Sequence, residues 1–586
     1  MSQTWGRTRE AGTWPHPKPV CLMAAVLLAV ATGMAVAFYQ YTVFWTPLQR
    51  AYLPSYLRSQ LMGSTVFTTT GRYRLLPLET AAGGRLAVVE KIVVTDLLRR
   101  ALWGGLSVFL AGLLVAIPKD VARTRARRQG RRLKGPELVT AAQFNRRCRA
   151  GGIGFAQRRR SLWRASWVRV PRAIESSHFL IIGDSGTGKS ALIRQMLRQI
   201  EARGETAIVY DPALEYTPQF YAPERGDVIL NPLDARSPFW SPGDEWRHEA
   251  EALTLATSLF PERQYENTFF SEAPRRIFAH LLTLRPSPDQ LAQWLCHEDQ
   301  LDQRVAGTPY AVLIDRDSPA QRSGVLASLN MVADTLTLLP VERDTSRRWS
   351  AAVWANERKG WLFLTSTPET RPRLVPLTSL WLDLLVLRLM NQGRPHHSPT
   401  WFVLDELASL QRLSQLHTAI TENRKSNNPV ILGFQGRSQL ETRYGHDAEA
   451  ILSQPATKIF LRTSEPRAAK WIADTIGDIE IERLRESRSS GRGSQQSYGL
   501  ERHVEPLVMA SEVSGLPALH GFLKLGNLVV RMDVPFINLP RKAPALVGRL
   551  DVARGLDEQK PDATATAPRN HSLQREGEAL DRSSGS

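Results

Sequence analysis

Cysteine is nearly absent from this chain, with three in 586 residues: Cys21, Cys148 and Cys296, and no C-x-x-C spacing among them. That scarcity excludes a disulfide framework and a zinc site, and it fits a catalytic part in reducing cytosol. Acidic residues are also in short supply, 57 Asp and Glu against 75 Lys and Arg, for a formal net charge of +18. Such an imbalance points to polyanionic partners, either nucleic acid or an anionic membrane surface. No base-reading helix and no aromatic stacking motif is evident, so any nucleic-acid contact is expected to have weak sequence preference. Hydrophobic content is an ordinary 42%, and the length accommodates several domains.

Charge is missing altogether from two stretches, residues 20–39 and 101–118. At 1.5 Å per residue their apolar cores run to about 28 Å and about 26 Å, close to the hydrocarbon thickness of a bilayer. The first lacks a clear small-x-small cleavage site, so it reads as a retained anchor rather than a signal peptide. The second has no polar face, and Trp103 sits near one end as an interface anchor. A two-helix transmembrane hairpin is expected. After the second stretch Lys119, Arg123, Arg125, Arg127, Arg128, Arg131, Arg132 and Lys134 face a single acid, Asp120. This places that side, and with Arg7, Arg9 and Lys18 the N-terminal residues 1–19, in the cytoplasm, leaving residues 40–100 as an exported loop. The basic run of the connector, residues 119–171, reads as a topology determinant touching anionic lipid, or as a DNA track.

The sharpest motif is Gly183-Asp184-Ser185-Gly186-Thr187-Gly188-Lys189-Ser190, directly behind the apolar run His178 to Ile182. A strand feeding a glycine-rich loop turns successive backbone N–H groups inward, and the helix that follows adds its positive end where a polyphosphate sits. In that pattern Lys189 reaches the β- and γ-phosphates of ATP and the Ser190 hydroxyl holds Mg²⁺. Nearly continuous apolar runs recur at Thr206–Tyr210, Gly226–Leu230, Trp361–Thr365, Thr400–Leu404, Val430–Phe434 and Lys458–Leu461. Strands of this kind are covered on both faces, as in a parallel sheet. Between residues 244 and 344 the β-type runs vanish and helical periodicity replaces them. The predicted fold class is α/β: a RecA-like parallel-sheet ATPase domain at 172–243 and 345–548, with an all-α insertion at 244–344. Composition predicts a flexible loop from Arg488 to Ser497 and a disordered tail at 549–586.

A P-loop needs a second metal anchor and a base, and Asp405-Glu406 at the end of an apolar strand supplies both. Asp405 is placed on hydrated Mg²⁺ and Glu406 on the water that attacks the γ-phosphate; the competing reading is a helix N-cap. Gln435 closes the strand Val430–Phe434 and is either a γ-phosphate sensor or a loop glutamine bound only to water. Arg424 is either an arginine finger acting in trans or a solvated surface residue. Asp211, ending the strand after the P-loop helix, either organises the active edge of the sheet or caps a turn.

These residues together resemble the conjugative type IV coupling proteins, the TraD/TrwB group of membrane-anchored ATPases. The resemblance is carried by the P-loop, Asp211-Pro212, Leu230-Asn231-Pro232-Leu233-Asp234-Ala235-Arg236-Ser237, Asp405-Glu406-Leu407-Ala408-Ser409-Leu410 and Gly433-Phe434-Gln435-Gly436-Arg437-Ser438-Gln439-Leu440. Glu501 to Pro506 and Ala510-Ser511-Glu512 are similar too. It implies a homo-hexameric ring on the bacterial inner membrane that uses ATP and Mg²⁺. It further implies that a relaxase-bound DNA strand, single- or double-stranded, is fed to type IV secretion channel components. Two alternatives share much of this sequence pattern: a receptor docking protein substrates with ATP as a switch, and a HerA- or FtsK-like DNA pump.

Overall fold

The computed structural model describes residues 20–47, 50, 65–68, 71–74, 85–129, 131–149, 151–158, 167–261, 267–390, 398–422, 425–489 and 495–549. The chain forms two compact units, residues 1–134 with 479–505, and residues 135–478 with 506–586.

The first unit is built on two helices, α1 (Val20–Tyr39) and α2 (Arg85–Gln129). Segments Cys21–Phe44 and Asp96–Val121 are long and apolar enough to cross a membrane, and Leu27, Leu28, Phe38, Leu102 and Leu114 are exposed on them. An exposed apolar surface of this extent is the kind that lipid covers. Small residues make the helix contact. A Cβ on Gly105 would stand 3.0 Å from the Ala29 carbonyl oxygen, one on Gly112 2.9 Å from the Ala25 Cβ, and one on Gly33 3.3 Å from the Ala101 carbonyl oxygen. Backbones this close gain dispersion without a hydrophobic driving force. The Asp120 carboxylate accepts from the backbone N–H groups of Cys21 (3.3 Å) and Leu22 (3.1 Å), capping α1 from the neighbouring helix. The second helix extends past both ends of the apolar stretch, on the C-terminal side through Arg- and Ala-bearing sequence that forms helix readily.

A three-stranded sheet also belongs here, Arg131–Lys134 against Asp478–Ser489 against Gln495–Pro506. The loop expected from Arg488 to Ser497 is therefore shorter than composition suggested, since strands occupy both of its margins. Residues 490–494, and the tail from residue 550 onward expected to be disordered, lie outside the described residues.

The second unit centres on a ten-stranded sheet. In chain order its strands are β1 (Glu137–Val139), β2 (Phe179–Ile182), β3 (Thr206–Asp211), β4 (Val228–Leu230), β5 (Leu362–Thr365), β6 (Thr400–Leu404), β7 (Val430–Phe434), β8 (Thr457–Leu461), β9 (His520–Leu525) and β10 (Leu528–Asp533). The spatial order is β1-β10-β9-β8-β2-β7-β6-β3-β5-β4. From β8 to β4 every pairing is parallel, with Leu180 opposite Leu432 and Phe402 opposite Ile208 as typical partners. Beyond β8 the pairings of β9 with β8 and with β10 are antiparallel, an extension that the sequence reading did not foresee.

Successive strand residues go to opposite faces. Leu180, Ile182, Ile208 and Tyr210 join one core, while Phe179, Ile181, Ala207 and Val209 join the other. This is why the strands read as unbroken apolar runs. The helix α3 (Lys189–Ala202) follows β2 and packs Leu192, Ile193, Met196, Leu197 and Ile200 into the second core.

Between β4 and β5 the chain leaves the sheet and forms α4 (Glu249–Leu259), α5 (Phe269–Thr283), α6 (Pro288–Cys296), α7 (Glu298–Val305) and α8 (Pro319–Leu336). The exit is fixed by the Asn231-Pro232-Leu233-Asp234 segment. Asn231 accepts from the Leu233 N–H (3.0 Å) and donates to the Thr365 hydroxyl (3.2 Å), and buried Asp234 pairs with Arg236 at 2.6 Å. Glu245 fastens both ends of the excursion, accepting from the Trp240 indole (2.9 Å) and the Ala351 N–H (2.8 Å). After β5, α9 (Arg371–Met390) returns along the first core.

Candidate nucleotide site

The P-loop connects β2 to α3, and its shape depends on glycine at the positions where a side chain would collide. Gly188 has φ +117° and sits where a Cβ would meet Leu519 Cδ2 at 2.8 Å; a Cβ on Gly183 would meet Leu461 Cβ at 2.7 Å. The loop is braced from neighbouring chain: Asp184 N–H donates to the Arg462 carbonyl (2.9 Å), Leu519 N–H to the Thr187 carbonyl (2.8 Å), and Ser464 N–H to the Asp184 carboxylate (2.8 Å). Thr187 closes the turn by donating its hydroxyl to the Asp184 carbonyl at 2.7 Å.

Lys189 is buried and its ammonium donates to the carbonyls of Gly183 (2.6 Å) and Asp184 (3.2 Å). Burial pulls this ammonium below its ordinary range, opposed by the carboxylates of Asp405, Glu406, Asp184 and Glu215 in that order. A lysine held this way is a compact positive charge poised at the mouth of the loop, the group a polyphosphate needs.

The acidic pair ends β6, two strands away from β2 with β7 between them. Asp405 has its pKa pushed up to about 6, chiefly by burial, while the Tyr216 hydrogen bond and the Lys189 charge pull it down. The Tyr216 hydroxyl donates to Asp405 Oδ2 at 2.5 Å. Gly433 on β7 leaves the other carboxylate oxygen its space, since a Cβ there would lie 2.9 Å from Asp405 Oδ1. Glu406 takes the left-handed conformation, φ +64°, an uncommon state for a side-chain-bearing residue that sits at the turn off the strand. Its Oε2 accepts from the Gln435 side-chain amide at 2.7 Å.

Lys189, Ser190, Asp405, Glu406 and Gln435 therefore gather at the carboxyl-end edge of adjacent parallel strands, where ligands bind in open α/β sheets. Arg424 lies outside the described residues. Asp211 resolves to the capping role: fully buried, it accepts from the N–H groups of Glu215 (2.7 Å), Tyr216 (2.9 Å) and Thr217 (2.8 Å) and from the Thr217 hydroxyl (2.7 Å). Tyr216 and Gly433 are site residues that the sequence reading passed over. The signal for Tyr216 was its place four residues after Asp211-Pro212, on the turn leaving the strand next to β6. The donor set, one carboxylate and one hydroxyl, suits a hard cation that keeps most of its water, and no group of three or more His, Cys, Asp or Glu fit for a metal occurs among the described residues.

A strand, a glycine loop, a buried lysine and an acidic pair across the neighbouring strand define a P-loop nucleotide-binding protein of RecA-like architecture. Comparison narrows the class. Residues 164–537 match the family model of the type IV secretion-system coupling protein DNA-binding domain, and the chain belongs to that family. It is 29% identical over 398 residues to the coupling protein TraD of Escherichia coli K12, a match covering 65% of this chain and 55% of TraD. It is 33% identical over 140 residues to the conjugal transfer protein TraG of Agrobacterium fabrum, covering 23% of this chain and 21% of TraG. The chain thus spans about half the length of TraD and less of TraG. Among solved structures it resembles the bacterial conjugative coupling protein TrwBdeltaN70 (TM-score 0.63, 26% identity, covering 72% of this chain and 96% of that one). It likewise resembles the plasmid coupling protein TrwB in complex with ADP and Mg²⁺ (TM-score 0.62, 25% identity, 71% and 97% covered).

Proposed function

We propose that this chain is a membrane-anchored, ATP-hydrolysing DNA motor that links a relaxase-bound DNA substrate to a type IV secretion channel during conjugative transfer. The observation that carries this reading is the convergence of Lys189, the Tyr216–Asp405 bond and the Glu406–Gln435 bond at one sheet edge, in a chain of the coupling-protein family. Relatives crystallised with ADPNP and with ADP and Mg²⁺ support ATP and Mg²⁺ as the cofactors.

In this scheme the P-loop N–H groups and Lys189 bind the phosphates, while Ser190 and Asp405 hold Mg²⁺, which when bound neutralises charge on the transferring phosphoryl group. Glu406 orients the attacking water and takes its proton, and Gln435, hydrogen-bonded to that carboxylate, senses the γ-phosphate. Arg424 enters a neighbouring subunit's site in a homo-hexamer. The α1–α2 hairpin anchors the chain in the inner membrane with the N-terminus and ATPase unit cytoplasmic. The excess of basic residues supplies salt-sensitive, sequence-independent attraction to DNA.

The test is ATP hydrolysis by the full-length protein in detergent, with and without single- and double-stranded DNA at increasing salt. Stimulation by DNA that fades as salt rises is the expected result. Hydrolysis indifferent to DNA but responsive to a protein substrate would replace the motor with a receptor, and failure to bind adenine nucleotide would end the ATPase reading.

A further inference from the structure

Tyr216 stands at the centre of the site without belonging to any nucleotide-binding motif. Its ring is 1% exposed and packs in the second core with Val209, Phe220 and Trp361. Its backbone is fixed from two sides. From inside, the Asp211 carboxylate holds the N–H groups of residues 215, 216 and 217. From outside, Glu215 pairs with Arg194 of the P-loop helix at 3.0 Å. A turn clamped both to β3 and to α3 gives the phenol oxygen a fixed position relative to the start of α3 and the end of β6.

We propose that Tyr216 is a positioning residue for the divalent cation, fixing the orientation of Asp405, the carboxylate that would hold it. The chemistry is that of an outer-shell partner that orients ligands without touching the ion. A carboxylate is free to turn about its last torsion; with Oδ2 fixed by the phenol proton, that rotation stops.

The inference rests on the nucleotide reading above, and its test separates the two. Tyr216→Phe in the full-length protein removes only the oxygen and leaves the ring packing intact. Mn²⁺ binding to the protein saturated with the non-hydrolysable analogue ADPNP is measured by electron paramagnetic resonance, alongside ADPNP affinity in metal-free buffer and the thermal midpoint. The expected result is Mn²⁺ affinity weakened about 10- to 100-fold, with metal-free nucleotide affinity and thermal midpoint unchanged. Mn²⁺ affinity within twofold of wild type would overturn the proposal. So would a parallel loss of metal-free nucleotide binding and thermal stability, which would assign Tyr216 to packing alone. A wild-type protein that binds no Mn²⁺–nucleotide would instead refute the ATPase reading itself.

Discussion

Asp383 offers a stability experiment whose sign and size follow from its surroundings. It lies on α9, is 1% exposed, and accepts hydrogen bonds from the N–H groups of Ser414 (3.1 Å) and Gln415 (3.0 Å). These favour the carboxylate, yet burial outweighs them and pushes the pKa from the ordinary 3.8 up to about 6. At 1.36 kcal/mol per pKa unit the ionised group costs the fold about 3 kcal/mol. Because the folded pKa lies above the unfolded one, Asp383's contribution is fully present below about pH 4 and is lost as pH rises through about 6. Asp383→Asn cannot titrate, and it carries a constant penalty of about 1–3 kcal/mol for facing a backbone donor with an amide N–H. The unfolding free energy of wild type minus that of the variant should therefore fall by about 3 kcal/mol between pH 4 and pH 7, whatever the offset. Urea unfolding of the detergent-solubilised protein, followed by tryptophan fluorescence with Trp381 on the same helix, measures it. A flat difference across that range would refute the reasoning. A difference that grows with pH would show that the two hydrogen bonds outweigh burial and keep the carboxylate charged.

Three further outcomes follow from the site. Lys189→Ala should lower ATP turnover at least about 10²-fold by removing the charge at the phosphate position, while the thermal midpoint stays within a few degrees because the ammonium contacts only loop carbonyls; turnover near wild type would remove Lys189 from the site. Glu406→Gln should cut hydrolysis about 10²- to 10⁴-fold with ATP affinity retained, read by filter binding beside a phosphate-release assay. Gly433→Ala places a methyl 2.9 Å from Asp405 Oδ1, and a displacement of about 1 Å at that carboxylate should cost about 10²-fold in kcat, with far-UV circular dichroism unchanged.

The fold was legible where one physical rule dominated. Strands buried on both faces must be apolar at every position, so β2 to β8 stood out as unbroken runs. The two apolar helices were equally plain, since an uncharged stretch of about 20 residues that is hydrophobic all round is the pattern of a membrane-length helix. The antiparallel β9 and β10 escaped notice because their burial alternates less cleanly: His520, Lys524 and Leu525 of β9 are only half-buried, and Arg531 interrupts β10 as an exposed residue. The strands flanking Ser489 and Gln495 were missed for a different reason. Polar and charged residues make up most of both, a composition that reads as loop until a partner strand supplies the ladder.

The site divides along the same line. Groups whose chemistry requires a particular residue type at a set spacing, Gly188, Lys189, Ser190 and the pair at 405 and 406, are visible in a linear reading. Groups whose role depends on what faces them across the sheet are not. Gly433 matters only because β7 lies beside β6 and a Cβ there would press on Asp405. Tyr216 matters only because β3 also adjoins β6, so that the turn after one strand looks onto the end of the next. Asp211 shows the converse: an acid at a strand tip near a phosphate loop invites a catalytic reading, but four hydrogen bonds from its own turn occupy it. Its effect on the nucleotide site is carried through Tyr216, the residue whose backbone it holds. Replacing Asp211 by Asn should accordingly disturb metal binding in the same direction as Tyr216→Phe and, unlike that variant, lower the thermal midpoint as well, because an amide cannot accept from all four donors.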